Sequence, residues 1–140
     1  MNRAIIVRGQ SGSGKSTVLM RIHQWIASTY SPSLLYSLPM PSADVYEIFT
    51  VGALTIGFCS AGDEGPGVQD FLNDCIARNC DLIIGACRGK GATRQAVIST
   101  LTKPVFVISW TDTYHVHPPL ITAFNNDCYQ EVKALLIGLS

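Results

Sequence analysis

A glycine-rich stretch set between a buried-type strand and an amphipathic helix constrains this chain more than any other feature. Ala4-Ile5-Ile6-Val7 is a short unbroken apolar run, the pattern of a strand covered on both faces. Gly9-Gln10-Ser11-Gly12-Ser13-Gly14-Lys15-Ser16 follows directly. From Lys15 the period lengthens, and Val18, Leu19, Ile22, Trp25 and Ile26 fall on one helical stripe. Glycines let a backbone wrap closely in conformations that a Cβ obstructs, so successive N–H groups can point into one small volume. The first turn of the following helix adds free N–H groups and the positive end of its dipole. Such a concavity suits a polyphosphate. Within it Lys15 is expected to supply a cation for the β- and γ-phosphates, and Ser16 a hydroxyl for Mg²⁺. The stretch meets G-x-x-x-x-G-K-[ST] at every fixed position, in the strand-to-helix context that the chemistry requires.

The remaining chain alternates strand and helix signals. Val45–Val51 and Leu54–Cys59 flank Gly52 as a predicted hairpin. Pro66 suits a first helical turn, and Val68, Phe71, Leu72, Cys75 and Ile76 form a second stripe. Asp81–Ala86 and Pro104–Ser109 read as further strands, with a short helix capped by Thr93 running to Leu101 between them. A final helix is expected from Asp127 to Leu139, where Asp127 and Gln130 resemble a capping box. Two stretches read as irregular: Tyr30 to Asp44, with Pro32, Pro39 and Pro41, and Trp110 to Asn126, with Pro118-Pro119. Alternating elements of this kind imply helices on both faces of a mostly parallel sheet.

Composition narrows the function classes. Residues 1–140 fit a single domain, and 47% hydrophobic against 14% charged residues suffices to fill a core. Ten basic and ten acidic residues balance, which argues against a broad nucleic-acid or anionic-membrane surface. Cys59, Cys75, Cys80, Cys87 and Cys128 are odd in number without C-x-x-C spacing, so buried reduced thiols and a cytoplasmic location are expected. No leader segment and no apolar run of membrane-spanning length are recognised.

On Gly9 to Ser16 the chain resembles the P-loop NTPase superfamily, and its element order is similar to small GTPase-like and nucleotide kinase-like members. The resemblance implies a three-layer α/β sandwich of about five strands, mostly parallel, with one antiparallel edge strand. It also implies an ATP (or other NTP) and Mg²⁺ site held by Gly9, Gln10, Ser11, Gly12, Ser13, Gly14, Lys15, Ser16 and Thr17. The hairpin followed by Ala61-Gly62 looks like the second switch of small GTPases, which in that family follows the strand beside the phosphate loop. Where those proteins have a metal-linked aspartate this chain has Cys59. Asp63 is then the candidate to hold Mg²⁺ with Ser16 or to position a nucleophile, the alternative being an ordinary helix-start acid. Glu64 is a weaker candidate. Arg88 and Arg94, in the basic turn Cys87–Arg94, are candidates to neutralise a transferring phosphoryl group, with Arg88 preferred. Of the guanine-reading segment of small GTPases only the aspartate is matched, by Asp112, so guanine selectivity is not implied and ATP is the default nucleotide. His115 and His117 lack a third metal ligand in the sequence.

Three functional readings follow. The first is an NTP hydrolase, catalytic residues Lys15, Asp63 and Arg88, whose segment Tyr30 to Asp44 responds to bound nucleotide and engages a protein partner. The second is a small kinase-like phosphotransferase, with Tyr30 to Asp44 holding a phosphate acceptor and Arg88 to Arg94 forming a lid. The third is a non-catalytic nucleotide-binding module, favoured by the lack of a clean strand-end acid.

Overall fold

The computed structural model describes residues 2–9, 14–40, 44–101, 106–113 and 118–139. Gln10, Ser11, Gly12, Ser13, Pro41, Pro104, His115 and His117 lie outside the described residues. The chain runs β1 (Asn2–Arg8), α1 (Lys15–Tyr30), β2 (Ser33–Ser37), β3 (Tyr46–Val51), β4 (Leu54–Cys59), α2 (Gly65–Ala77), β5 (Leu82–Cys87), α3 (Ala92–Leu101), β6 (Phe106–Asp112) and α4 (Pro118–Leu139). The strands form one six-stranded sheet in the order β2-β3-β4-β5-β1-β6. Strand β1 pairs in parallel with β5 and β6, and β4 in parallel with β5. Strand β3 alone runs against the others, pairing antiparallel with both β2 and β4.

Alternation along the strands divides the core into two layers. Ala4 and Ile6 point to one face, beside Val68, Phe71 and Leu72 of α2 and Val97 and Leu101 of α3. Ile5 and Val7 point to the other, beside Val18, Leu19 and Ile22 of α1 and Val132 and Leu136 of α4. The architecture is therefore α/β/α, and β1 and β5 are apolar because both of their faces are covered. Each fully buried Ile, Leu or Phe contributes roughly 1.5–3 kcal/mol, which makes this double core the main stabilising term.

Several expectations need correction. The sheet has six strands, and antiparallel β3 lies inside it because β2 adds beyond it as the edge. The stretch Tyr30 to Asp44 is thus not wholly irregular. Strand β4 is not beside β1, since β5 lies between them, so the small-GTPase adjacency does not hold. Strand β6 continues past Ser109 to Asp112. Helix α4 begins at Pro118, not Asp127, and takes up much of the stretch expected to be irregular. Prolines are tolerated there because a first-turn N–H has no intrahelical partner to lose. Among the described residues no helix is long and apolar enough to cross a membrane.

All five cysteines are free, buried thiols. Burial pushes Cys59, Cys87 and Cys128 up to about 11 from an ordinary 9.0. Burial also raises Tyr46, helped by the hydrogen bond its hydroxyl donates to Asp74. A raised acid is neutral in the folded chain where the unfolded chain would ionise. The associated stability is intact below about pH 9 and is lost as pH climbs through about 11. Urea midpoints are expected to be level near neutrality and to fall steadily across that alkaline window. A midpoint unchanged up to the top of it would show that these groups ionise freely in the folded state.

Candidate functional site

The sheet order places a topological switch point between β1 and β5. The connection from β1 passes through α1 on one face, while that from β5 passes through α3 on the other. Ligands of open α/β sheets bind in the crevice beyond the carboxyl ends of such strands. Here the glycine-rich stretch begins. Gly9 N–H donates to the Cys87 carbonyl at 3.2 Å, tying its start to the end of β5. At the far end Gly14 is left-handed, φ 94°, and its carbonyl accepts the first α1 hydrogen bond from Val18 N–H at 3.0 Å. A side chain at Gly14 would be strained, which explains why glycine precedes the lysine.

Lys15 is buried, its side chain 5% exposed. Its Nζ donates to the Gly9 carbonyl at 3.0 Å and to Asp63 Oδ1 at 2.9 Å. The lysine therefore bridges both ends of the stretch and holds a carboxylate from the segment after β4. Ser16 Oγ donates to Asp44 Oδ1 at 2.9 Å, with the Ser60 carbonyl 3.2 Å away. Ser60 Oγ also donates to Asp44, at 2.8 Å, and accepts from Val45 N–H at 2.9 Å. Asp44 is thus fixed by two hydroxyls, and sequence reasoning did not single it out. The carboxylate that reaches Ser16 is Asp44, whereas Asp63 reaches Lys15.

These residues open onto a cavity of about 580 Å³, within the range of small-molecule sites. Its walls come from the first turn of α1, from residues before and at the start of β3 and from the segment between β4 and the first turns of α2. Leu38, Met40, Tyr46 and Val68 are apolar, and Asp44, Asp63, Glu64 and Asp70 carry carboxylates. The segment bearing Asp63 is set by close backbone packing. A Cβ on Gly62 would stand 2.5 Å from the Ala86 carbonyl carbon and 2.6 Å from its oxygen, and backbone at the end of β5 has no room to yield. Gly62→Ala is therefore expected to destabilise by about 1–3 kcal/mol and to displace Asp63. A denaturation midpoint indistinguishable from the parent chain would refute that packing.

The basic residues separate. Arg8 pairs with Asp112 through Nε at 2.8 Å and Nη2 at 3.2 Å and stacks over Trp110, 4.8 Å from the ring centroid. Asp112 is therefore engaged by Arg8 across the β1–β6 pair. Arg88 is exposed, and its backbone N–H donates to Thr93 Oγ1 at 2.8 Å. Thr93 accordingly braces the turn, while the α3 N-terminus is set by Gly91, whose carbonyl accepts from Gln95 N–H at 3.0 Å. Arg94 is half-buried, and its Nε is buried with no hydrogen-bond partner among the described residues. The positive fields of Arg8, Lys15 and Arg94 all reach Cys87, opposing the effect of its burial. Arg94, more than Arg88, is thus gathered with Lys15 at the end of β5.

Among the described residues no three His, Cys, Asp or Glu side chains converge as a metal cluster. Magnesium asks for less. It takes one or two protein oxygens and completes its shell with phosphate and water. Adjacent ligands of an octahedral ion at about 2.0–2.1 Å stand about 2.9 Å apart. Ser16 Oγ and Asp44 Oδ1, hard oxygens 2.9 Å apart, fit that requirement.

Protein-family models, curated proteins and solved structures give no match to this chain.

Proposed function

We infer that the chain binds a nucleoside triphosphate with Mg²⁺ at Gly9–Thr17 and transfers its γ-phosphoryl group, with water as the simplest acceptor. One observation carries this reading. Buried Lys15 and exposed Ser16 stand side by side in the first turn of α1, at the switch point, each already bonded to a carboxylate beside an open cavity. A buried ammonium is costly without a counter-charge, and Asp63 supplies one. A triphosphate tail is a stronger anion than one half-exposed carboxylate, so Lys15 passes from Asp63 to the phosphates. Asp63, which faces the cavity, then accepts a proton from the attacking hydroxyl. Ser16 and Asp44 would hold Mg²⁺, which would supply positive charge against that developing on the transferring phosphoryl group. Arg94 adds positive potential from the α3 side.

Asp44 also weakens the case for a purely non-catalytic module, because it brings a carboxylate to Ser16, whereas Asp112 at the end of parallel β6 is paired with Arg8. ATP is the default nucleotide. The purified chain with ATP and Mg²⁺ should release inorganic phosphate, and chelating the metal should stop the release. Tight ATP binding without any turnover, with or without an added acceptor, would leave only the non-catalytic reading.

A further inference from the structure

The cavity of about 580 Å³ is lined by Gly14–Thr17, where the triphosphate tail would sit, and continues past them. Its lining comes from α1, the ends of β2 through β4, and α2, and among the described residues none comes from β6 or α3. The space therefore extends to one side of Lys15, away from β6. Leu38 and Met40 form one apolar wall, and Tyr46 and Val68 another. Tyr46 is locked in place by Asp74 and by the edge of the Phe71 ring, so that wall is rigid. Where the cavity meets the phosphate site stands Asp63, bonded to Lys15 at 2.9 Å.

Resting on the nucleotide reading above, we propose that this cavity is an acceptor site for an uncharged or cationic alcohol with an apolar body. The four carboxylates Asp44, Asp63, Glu64 and Asp70 line it, while its lining cation, Lys15, is taken by the triphosphate. An acceptor bearing its own phosphate or carboxylate would meet like charge in a half-enclosed space, which excludes it. The step balances simply. The alcohol oxygen forms a bond to the γ-phosphorus as the bond from that phosphorus to the β–γ bridging oxygen breaks. The diphosphate leaves with the bond's electron pair, and the hydroxyl proton passes to the Asp63 carboxylate.

The test uses the full chain with γ-labelled ATP and Mg²⁺, and probes matched in body but not in charge. Thymidine is set against thymidine 3′-monophosphate, which keeps the primary hydroxyl, and phenylethanolamine against mandelate. Label is expected on thymidine or phenylethanolamine at about tenfold or more the rate of the anionic counterpart, a difference of about 1.4 kcal/mol. Leu38→Glu, at an exposed rim position that leaves the core intact, should lower transfer to the preferred probe far more than phosphate release to water. ATP-dependent stabilisation with label passing only to water, or equally to the anions, would overturn the acceptor site and leave the nucleotide reading standing. Absence of any ATP-dependent stabilisation would remove both.

Discussion

Lys15→Met is expected to abolish nucleotide-dependent stabilisation while leaving the unliganded chain folded. The side chain is 5% exposed, with its charge held by Gly9 and Asp63. Exchanging a buried, paired charge for an apolar group of similar volume is often close to neutral, because the desolvation cost disappears with the attraction. Asp63, half-exposed, can return to water. Binding should behave differently. Charge-assisted hydrogen bonds to phosphate are each worth about 1.5–3 kcal/mol, and Lys15 is expected to serve two phosphates. A loss of roughly 3–5 kcal/mol weakens affinity by about 10²–10³-fold or more. Thermal scans with and without ATP–Mg²⁺ read both effects, and a variant that keeps the parental nucleotide shift would discredit the site.

For Asp63→Asn, binding and turnover should move in opposite directions. The aspartate competes with the incoming phosphates for Lys15, so its neutral replacement should tighten nucleotide binding several-fold, an effect softened by solvent at this half-exposed position. The same change removes the proton acceptor. General-base contributions amount to about 10²–10⁴ in rate, and turnover should fall on that scale. If Asp63 were only a structural counter-ion, affinity and turnover would shift together. Titration calorimetry beside a phosphate-release assay separates the cases.

Much of the architecture is legible in local patterns, and the failures have physical causes. Strand β1, α1, the β3–β4 hairpin and α2 follow from apolar periodicity and glycine or proline positions, because burial of those faces is a local property. Strand β2 was hidden because Ser33–Ser37 carries two exposed leucines and prolines nearby. Its existence depends on pairing with residues such as Thr50, far along the chain. The start of α4 is illegible in the sequence because Pro118 and Pro119 look like breakers when the helix start is unknown.

The site divides in the same way. Lys15 and Ser16 are dictated by a contiguous motif. Asp44 escaped because a search for acids at strand ends assumes parallel strands. Since β3 is antiparallel, its beginning lies at the edge where β4 and β5 end. Likewise, the insertion of β5 between β1 and β4 is a matter of sheet order, which chain order leaves open. Of the two candidate arginines, Arg88 is exposed and Arg94 half-buried, a difference that depends on packing and not on local sequence.

The central claim is that the stretch opening α1 grips a polyphosphate tail. Calorimetric titration of the chain with ATP, ADP, AMP and adenosine in Mg²⁺ tests it most directly. Affinity is expected to depend on the tail, with ATP and ADP binding far more tightly than AMP and adenosine. Equal affinity for all four, or no heat from ATP, would contradict it.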